Sequence, residues 1–378
     1  NFTSATDTFN VAIGFEAGRA ISTGIQNTLL GGLAGDALTD ADFNVAIGYN
    51  ALTGDTQGSR SVAIGRGALA VQNFSSATDA YNIGIGFGAG VSVTTGKENV
   101  IIGGNAGDAL TDADFNTLVG SFALSNDTQG SKSTAIGYQA LGTQNFSSAT
   151  GSFNTAVGYN AGVAVTTGIN NTIIGAVAGD ALTDADFNVA VGVGALGADT
   201  KGNKNTAIGH DALGVQDFTS STDAFNCALG FNAGAAVTTG IENTLIGADA
   251  GNSITTSVSN TLVGQEAGHN ITTGDGRNSF LGNGAGSLIT SGIKNSIIGR
   301  YSGNVAGIDI RTSSNNIILS DGDGNPRLHI NGDGDVGIGT PATGTKLTVK
   351  QTTGNQTILT LDHDAGSNPY GIFMDFSG

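Results

Sequence analysis

Three consecutive apolar residues between an Asn and a Gly recur along this chain and form its dominant hydrophobic pattern. The phrase NVAIG begins at Asn44 and returns as NTAIG at Asn205, NTLIG at Asn243 and NSIIG at Asn295. The first apolar position is small or β-branched, the second is mixed, and the third is Ile, Leu or Val. β-Branched residues favour a pleated strand, and Gly permits a positive φ. Each phrase therefore predicts one short strand followed by a corner.

The Gly that closes each phrase gives the period of the repeat. It occurs 17 times, and its spacing is 17 residues except for 21 at every fourth step and a single 18. Three shorter steps and one longer step make a 72-residue super-repeat. The marker residues are Gly14, Gly31, Gly48, Gly65, Gly86, Gly103, Gly120, Gly137, Gly158, Gly175, Gly192, Gly209, Gly230, Gly247, Gly264, Gly282 and Gly299.

A repeat of this length fits one coil of a β-solenoid and is too short for a helix pair or a propeller blade. Ala follows three residues after the marker in every copy but the last, where Ser302 stands, and this indicates a tight inside corner. No helical apolar stripe survives so many Gly residues. The predicted fold is all-β: a parallel β-solenoid, or β-roll, of about 17-residue coils over residues 1–315, with a small β-rich segment at 316–378.

The 21-residue step carries a Ser/Thr-rich loop with an aromatic residue at each end. It reads NFSSATDAY from Asn73, NFSSATGSF from Asn145 and DFTSSTDAF from Asp217. Since the loop recurs every four coils, we expect regularly spaced surface bumps. A loop repeated in this way suits spacing or lateral packing better than a specific receptor pocket.

The apolar second position predicts a strand that is buried on both faces. Side chains alternate along a strand, so the first and third positions point one way and the second points the other. One face must fill the coil, and we expect the second position, as at Ala156 and Ala207, to lie at an interface between chains. The simplest partner is a copy of the same chain in a cyclic homotrimer around a fibre axis. A monomer with a second layer of its own is the alternative.

The repeated phrase resembles the SVAIGxxA units in the head domains of trimeric autotransporter adhesins, and similar phrases occur in the shafts of long bacteriophage tail fibres. The pattern covers residues 1–315 and stops after Gly299, because Ser320 occupies the next marker position. The stretch NGDGDVGIGTPATGTKLTV, from Asn331 to Val349, is similar to a segment of phage fibres beyond the shaft. The resemblance implies a fibre of three parallel chains. The 17-residue period departs from the shorter coils of the adhesin heads.

Composition and charge exclude several classes of protein. Gly accounts for 62 of 378 residues without a Gly-X-Y period, so the chain is not collagen-like. With 39% hydrophobic residues, regularly placed, it is not disordered. A net charge of −17 without a basic run argues against a nucleic-acid partner, and no apolar run approaches a membrane span. The single Cys227 allows no internal disulfide, and we expect it to serve in packing.

Acidic residues are the main candidates for chemistry, because the four His residues are scattered at no metal-like spacing. The phrase GDALTDADF occurs three times, and an active site is rarely copied along a rod. Of three interpretations, catalysis, calcium binding and a solvated turn in which Asp caps its own backbone, we favour the solvated turn. The Asp residues are Asp36, Asp40, Asp42, Asp108, Asp112, Asp114, Asp180, Asp184 and Asp186.

The turn DGDGN offers a weak candidate for a metal site. Asp321, Asp323 and Asn325 resemble an oxygen-rich calcium loop, with Asp333 and Asp335 following in NGDGD. No Glu stands at the twelfth position of an EF-hand loop, and acidic Gly-rich turns also form simple tight hairpins, which we favour. Calcium is the only cofactor that these residues suggest, and no catalytic residue is predicted.

Aromatic residues directly after the marker Gly could stack on sugars or could cover one another in a ladder, and the ladder is favoured. They are Phe15, Tyr49, Phe87, Tyr138, Tyr159 and Phe231.

The sequence is most consistent with an extracellular structural fibre for attachment to a host or cell surface, such as a phage tail fibre. The expected partners are two further copies of the chain and a surface polysaccharide or another cell-surface receptor. The alternatives are a subunit of a bacterial extracellular filament, adhesin or surface layer, and a glycan-cleaving tailspike. We expect no enzymatic activity.

Overall fold

One short strand per repeat forms a long parallel stack. The computed structural model describes residues 7–342 and 344–350, and these residues contain 29 strands and no α-helix. The predicted all-β class is confirmed. The stack consists of β1 (Val11–Ile13), β2 (Thr28–Leu30), β3 (Val45–Ile47), β5 (Val62–Ile64), β7 (Ile83–Ile85), β8 (Val100–Ile102), β9 (Thr117–Val119), β11 (Thr134–Ile136), β13 (Thr155–Val157), β14 (Thr172–Ile174), β15 (Val189–Val191), β17 (Thr206–Ile208), β19 (Cys227–Leu229), β20 (Thr244–Ile246), β21 (Thr261–Val263), β22 (Ser279–Leu281), β23 (Ser296–Ile298) and β26 (Ile317–Ser320).

The remaining strands belong to the long loops and to the C-terminal part of the described chain. The three long loops contain β6 (Thr78–Asp79), β12 (Thr150–Gly151) and β18 (Thr222–Asp223), which pair with β4 (Gly58–Ser59), β10 (Gly130–Ser131) and β16 (Gly202–Asn203) of the preceding coils. The C-terminal part contributes β24 (Asn304–Val305), β25 (Ile308–Asp309), β27 (Pro326–Ile330), β28 (Val336–Ile338) and β29 (Leu347–Val349).

Neighbouring coils pair in parallel and in register. Val45, Ala46 and Ile47 of β3 lie opposite Val62, Ala63 and Ile64 of β5, and the same pairing links consecutive strands from β1 to β26. Eighteen strands therefore form eighteen turns of a solenoid. The predicted parallel β-solenoid with about 17-residue coils is confirmed.

A ladder of buried asparagines runs along the inside of the stack. Asn171 is fully buried, and its Oδ1 accepts the backbone N–H of Asn188, one coil further on, at 2.9 Å. Its Nδ2 donates to the carbonyl of Ala185 at 2.8 Å, so one side chain holds two backbone groups of the next coil that are three residues apart. Since Asn171 has both its acceptor and a donor in use, the cost of burying its amide is offset.

The second apolar position lies inside the coil, and its predicted place between chains is wrong. Ala156 and Ala207 are 0% exposed within a single chain. The first and third positions face outward and remain partly or well exposed, as at Ile47 and Ile298. The prediction assumed that the first and third positions fill the coil because they supply two of the three apolar side chains. In the structure, the coil is filled instead by the second position and by the ladder asparagine two residues before it.

The marker Gly is required for two physical reasons. Gly48 has a φ of +132°, a conformation that L side chains rarely adopt. A Cβ built on it would also come within 2.6 Å of the carbonyl oxygen of Gly65 in the next coil. Ala51 is fully buried three residues later, so the predicted tight inside corner is confirmed. Ser320 can stand at the marker position that follows Gly299 because its backbone does not adopt a positive φ.

The parallel stack continues through β26 and then changes topology. Ile317, Ile318 and Leu319 pair in parallel with β23, whereas β26–β27 and β27–β28 are antiparallel. An antiparallel hairpin of β24 and β25 is inserted in the last coil. The part of the predicted β-rich segment beyond residue 350 lies outside the described residues.

Replacing an inward Ala with Glu should destabilise each chain directly. We expect Ala156→Glu to lower the free energy of unfolding by roughly 3–5 kcal/mol, because it buries an unpaired charge. Thr155→Glu, on the neighbouring outward position, is the matched control and should leave the fold intact. Urea denaturation followed by circular dichroism measures the difference. Equal stability of the two variants would contradict the inward placement.

Removing one member of the asparagine ladder should open the coil locally. Asn171→Ala leaves the N–H of Asn188 and the carbonyl of Ala185 without partners, each costing about 1–3 kcal/mol. We expect amide hydrogen exchange to accelerate in β14 and β15. Asn304→Ala, at an exposed position of β24, should change exchange little. Unchanged protection in the Asn171 variant would show that the ladder is dispensable.

Candidate functional site

The candidate calcium residues form the cap of a hairpin turn between β26 and β27. Asp321 Oδ1 accepts the backbone N–H groups of Asp323 at 3.1 Å and Asn325 at 2.9 Å. Its other carboxylate oxygen forms an ion pair with Arg327. The Asn325 N–H, together with Arg327, lowers the pKa of Asp321 to about 2. The carboxylate is thus already engaged by backbone donors and a cation.

The second acidic turn, between β27 and β28, is built in the same way. Asn331 Oδ1 accepts the backbone N–H groups of Asp333 at 3.0 Å and Asp335 at 2.9 Å. Lys346 pairs with Asp335 at 3.0 Å and lowers its pKa. Each of the two turns therefore places its leading Asp or Asn where the side chain organises the turn.

The repeated Asp triplets tie neighbouring coils together. Asp42 Oδ1 accepts the backbone N–H of Ile25 at 2.8 Å, and Asp114 Oδ1 accepts that of Lys97 at 2.7 Å. Asp186 makes the equivalent bond in the third copy. These residues cap backbone groups as expected, but the groups belong to the preceding coil and not to their own turn.

The members of a triplet do not converge. Asp40 interacts with the hydroxyl of its neighbour Thr39 at 3.2 Å, whereas Asp36 accepts a hydrogen bond from Thr53 and pairs with Arg19 at 3.5 Å. Within residues 7–342 and 344–350, no group of three or more His, Cys, Asp or Glu side chains is arranged to hold a metal ion.

The described His and Cys residues are separate from one another. His210 lies 3.0 Å from Asp211 and stacks on Phe231, while His329 is buried against Asn316 and burial lowers its pKa. Cys227 is the outward first residue of β19 and is half-buried. His363 lies outside the described residues.

Each long loop is anchored by a buried carboxylate. Asp55 is fully buried, and its Oδ2 accepts the Gln72 side-chain amide at 2.6 Å. Its Oδ1 accepts the backbone N–H groups of Gly58 at 2.9 Å and Phe74 at 3.2 Å. Gln72 in turn accepts the amide of Asn82, the first ladder residue after the loop. The anchor therefore joins the loop to the asparagine ladder.

The anchor recurs in every 72-residue block. Asp127 with Gln144, and Asp199 with Gln216, repeat the contact at 2.6 Å. Burial raises the pKa of Asp55 and Asp199, although the surrounding N–H donors act in the opposite direction. Sequence reasoning missed this pair because a buried polar contact leaves no hydrophobic signal. The sequence did contain one sign of the pair: in all three blocks, Gln follows Asp after the same interval of 17 residues.

The outward face of the stack is largely apolar and accessible in the single chain. Its first and third strand positions contain no charged residue in any of the eighteen coils. Exposed aromatics flank the face, including Tyr49 after the marker and Phe43 before the strand. Tyr138 and Tyr159 stack with ring centroids 5.6 Å apart, so the expected ladder forms there.

Cations lie over the aromatic rings that precede the strands, a feature that the sequence analysis did not identify. The Arg60 guanidinium is 4.9 Å from the centre of the Phe43 ring and 5.8 Å from that of Tyr81. Lys132 lies 5.0 Å from the ring of Phe153. Open surface grooves adjoin the second long loop and the β24–β25 hairpin.

Comparison with known proteins assigns no family to this chain: no family model, no curated protein and no solved structure gives a significant match. The described residues also contain no helix long and apolar enough to cross a membrane.

The loop anchor predicts a pH dependence of stability. A raised carboxyl pKa means that the folded chain holds a proton that the unfolded chain has released, so stability should fall as the pH rises from the ordinary Asp pKa of 3.8 through the raised value. Asp199→Asn removes this titration and should flatten that part of the profile. Asp40→Asn, in an exposed turn, is the control. Urea melts between pH 4 and 7 measure the slopes, and identical slopes in the two variants would contradict the prediction.

Proposed function

We propose that this chain forms the shaft of an extracellular attachment fibre. The observation that carries the proposal is the uninterrupted register of eighteen coils, which ladder asparagines join at every step except those after Ser61 and Ser133. Such a stack grows along one axis only, so each added coil extends a rod. At about 4.8 Å per coil, the stack is roughly 86 Å long. A phage tail fibre is the specific form of attachment fibre that we propose.

The outward face supports self-association of the shaft. A three-residue strand is about 10 Å long, so the face covers on the order of 800 Å². One side of a stable interface has this size. The face carries no charge, although the chain has a net charge of −17. We assign its partner as a second and a third copy of this chain, arranged around the fibre axis.

The proposed role is binding without catalysis. The Asp triplets, which were the candidates for glycan cleavage, hold backbone N–H groups of neighbouring coils. The proposed target is a surface polysaccharide or another cell-surface receptor, reached by a rod that carries repeated loops at intervals of four coils.

The proposal predicts trimeric rods of finite length. Light scattering should give three times the chain mass of 37.4 kDa, and electron microscopy should show uniform rods. Ile174→Lys places a charge on the outward face, where Ile174 is 39% exposed, and should yield folded monomers. Ser147→Lys adds the same charge to an exposed loop and should leave the trimer unchanged.

Three outcomes would count against this function. Trimeric Ile174→Lys protein would show that the outward face is not the interface. Open-ended growth of the rods with concentration would favour a subunit of a bacterial filament or surface layer. Shortening of a surface polysaccharide on incubation with the purified protein would favour a glycan-cleaving spike.

A further inference from the structure

A groove lies between the second long loop and the turn that precedes a stack strand. In the second block the groove is open and has a volume of about 260 Å³. Its lining includes Asp114, Phe115, Ser131, Lys132, Thr150 and Gly151.

The residues that correspond to Lys132 in the first and third blocks, Arg60 and Lys204, each form an ion pair with an Asp side chain. Arg60 pairs with Asp79 at 3.2 Å and also donates to the Tyr81 hydroxyl at 3.2 Å. Lys204 pairs with Asp223 at 2.5 Å. Asp79 and Asp223 occupy the same position of the long loop, the second residue of β6 and of β18. In these blocks, an acidic side chain of the loop thus engages the cation.

The second block has Gly151 at this position, and its cation is left without a carboxylate. Within the described residues, Lys132 forms no ion pair, and its ammonium lies over the ring of Phe153. Asp114 also lines the groove, but its Oδ1 already accepts the backbone N–H of Lys97 at 2.7 Å. The replacement of Asp by Gly therefore exposes a positive charge beside two aromatic rings.

We propose that this groove binds a carboxylate-bearing sugar residue. Phe115 lines the groove and Phe153 lies beside it under Lys132; the two rings are 48% and 52% exposed and offer apolar faces to a sugar ring, while Lys132 pairs with the carboxylate. Ser131 Oγ accepts the N–H of Asp114 at 2.9 Å, so its hydroxyl hydrogen is available to a sugar oxygen. An acidic peptide would use the lysine without the ring faces. The inference adds a ligand class to the proposed function and does not depend on trimer formation.

Methyl NMR of the 378-residue chain tests the proposal residue by residue. Trigalacturonate should shift the methyl signals of Ala149 and Thr150 with a millimolar dissociation constant, because one exposed ion pair contributes little. Lys132→Ala should weaken binding roughly fivefold, the order of one such pair. Gly151→Asp, which reproduces the other two blocks, should weaken it at least as much.

A second variant tests whether binding can be introduced in the first block. Asp79→Gly frees Arg60 in the first block, so Ala77 and Thr78 should begin to respond to trigalacturonate. A Cβ at position 151 would lie 2.8 Å from the Phe153 ring, but the first and third blocks accommodate Asp beside an aromatic residue. Lys132→Ala, at an exposed position, tests the site independently of that contact.

Several results would overturn the inference. Equal shifts with the fully methyl-esterified trisaccharide would remove the role of the carboxylate. Tighter binding of triglutamate than of trigalacturonate would assign the groove to acidic peptides. Unchanged affinity in both Lys132→Ala and Gly151→Asp would place the ligand elsewhere. None of these readouts depends on rod length or on the oligomeric state, so failure here is separable from failure of the fibre proposal.

Discussion

The buried asparagine ladder is the interaction on which the rest of the structure depends. Each ladder asparagine from Asn10 to Asn295 accepts a backbone N–H of the next coil, and most donate to a carbonyl of that coil, as Asn171 does toward Asn188 and Ala185. These bonds fix the register of consecutive strands, because a slip by one residue would move the amide to the outside and leave its buried partners unpaired. A single register in turn stacks the marker glycines directly on one another, where Gly48 approaches the carbonyl of Gly65 too closely for any side chain.

The ladder also determines which surfaces remain for function. Since Asn and the second apolar position occupy the interior, the first and third positions face outward and create a long uncharged surface. The long loops attach to the same interior through Asp55 and Gln72, so their position on the rod is fixed by buried hydrogen bonds. A change at the loop surface, such as Gly151 in place of Asp, then leaves the strand pairing of the loop unchanged.

The sequence was sufficient to predict the coil but not its inside and outside. The marker Gly and the Ala three residues later have strong local requirements, so spacing alone identified the corners. The inward face was assigned wrongly because hydrophobic patterning counts only apolar residues. The interior also contains hydrogen-bonded Asn side chains, which such a count assigns to the outside. The Asp–Gln anchor joins residues 17 positions apart, as at Asp55 and Gln72, through the stacking itself, which sequence patterning does not describe. The acidic turn at Asp321 joins the two strands of a hairpin, and its ion pair with Arg327 depends on the register of β26 and β27.

The ladder can be observed directly by NMR as a scalar coupling across its hydrogen bonds. In a deuterated sample, the backbone nitrogen of Asn188 should couple to the side-chain carbonyl carbon of Asn171, and the same coupling should appear between Asn226 and Asn243. Couplings in consecutive coils would establish that side-chain amides carry the register. Coupling of these nitrogens to backbone carbonyls instead, with none to the side chains, would contradict the account.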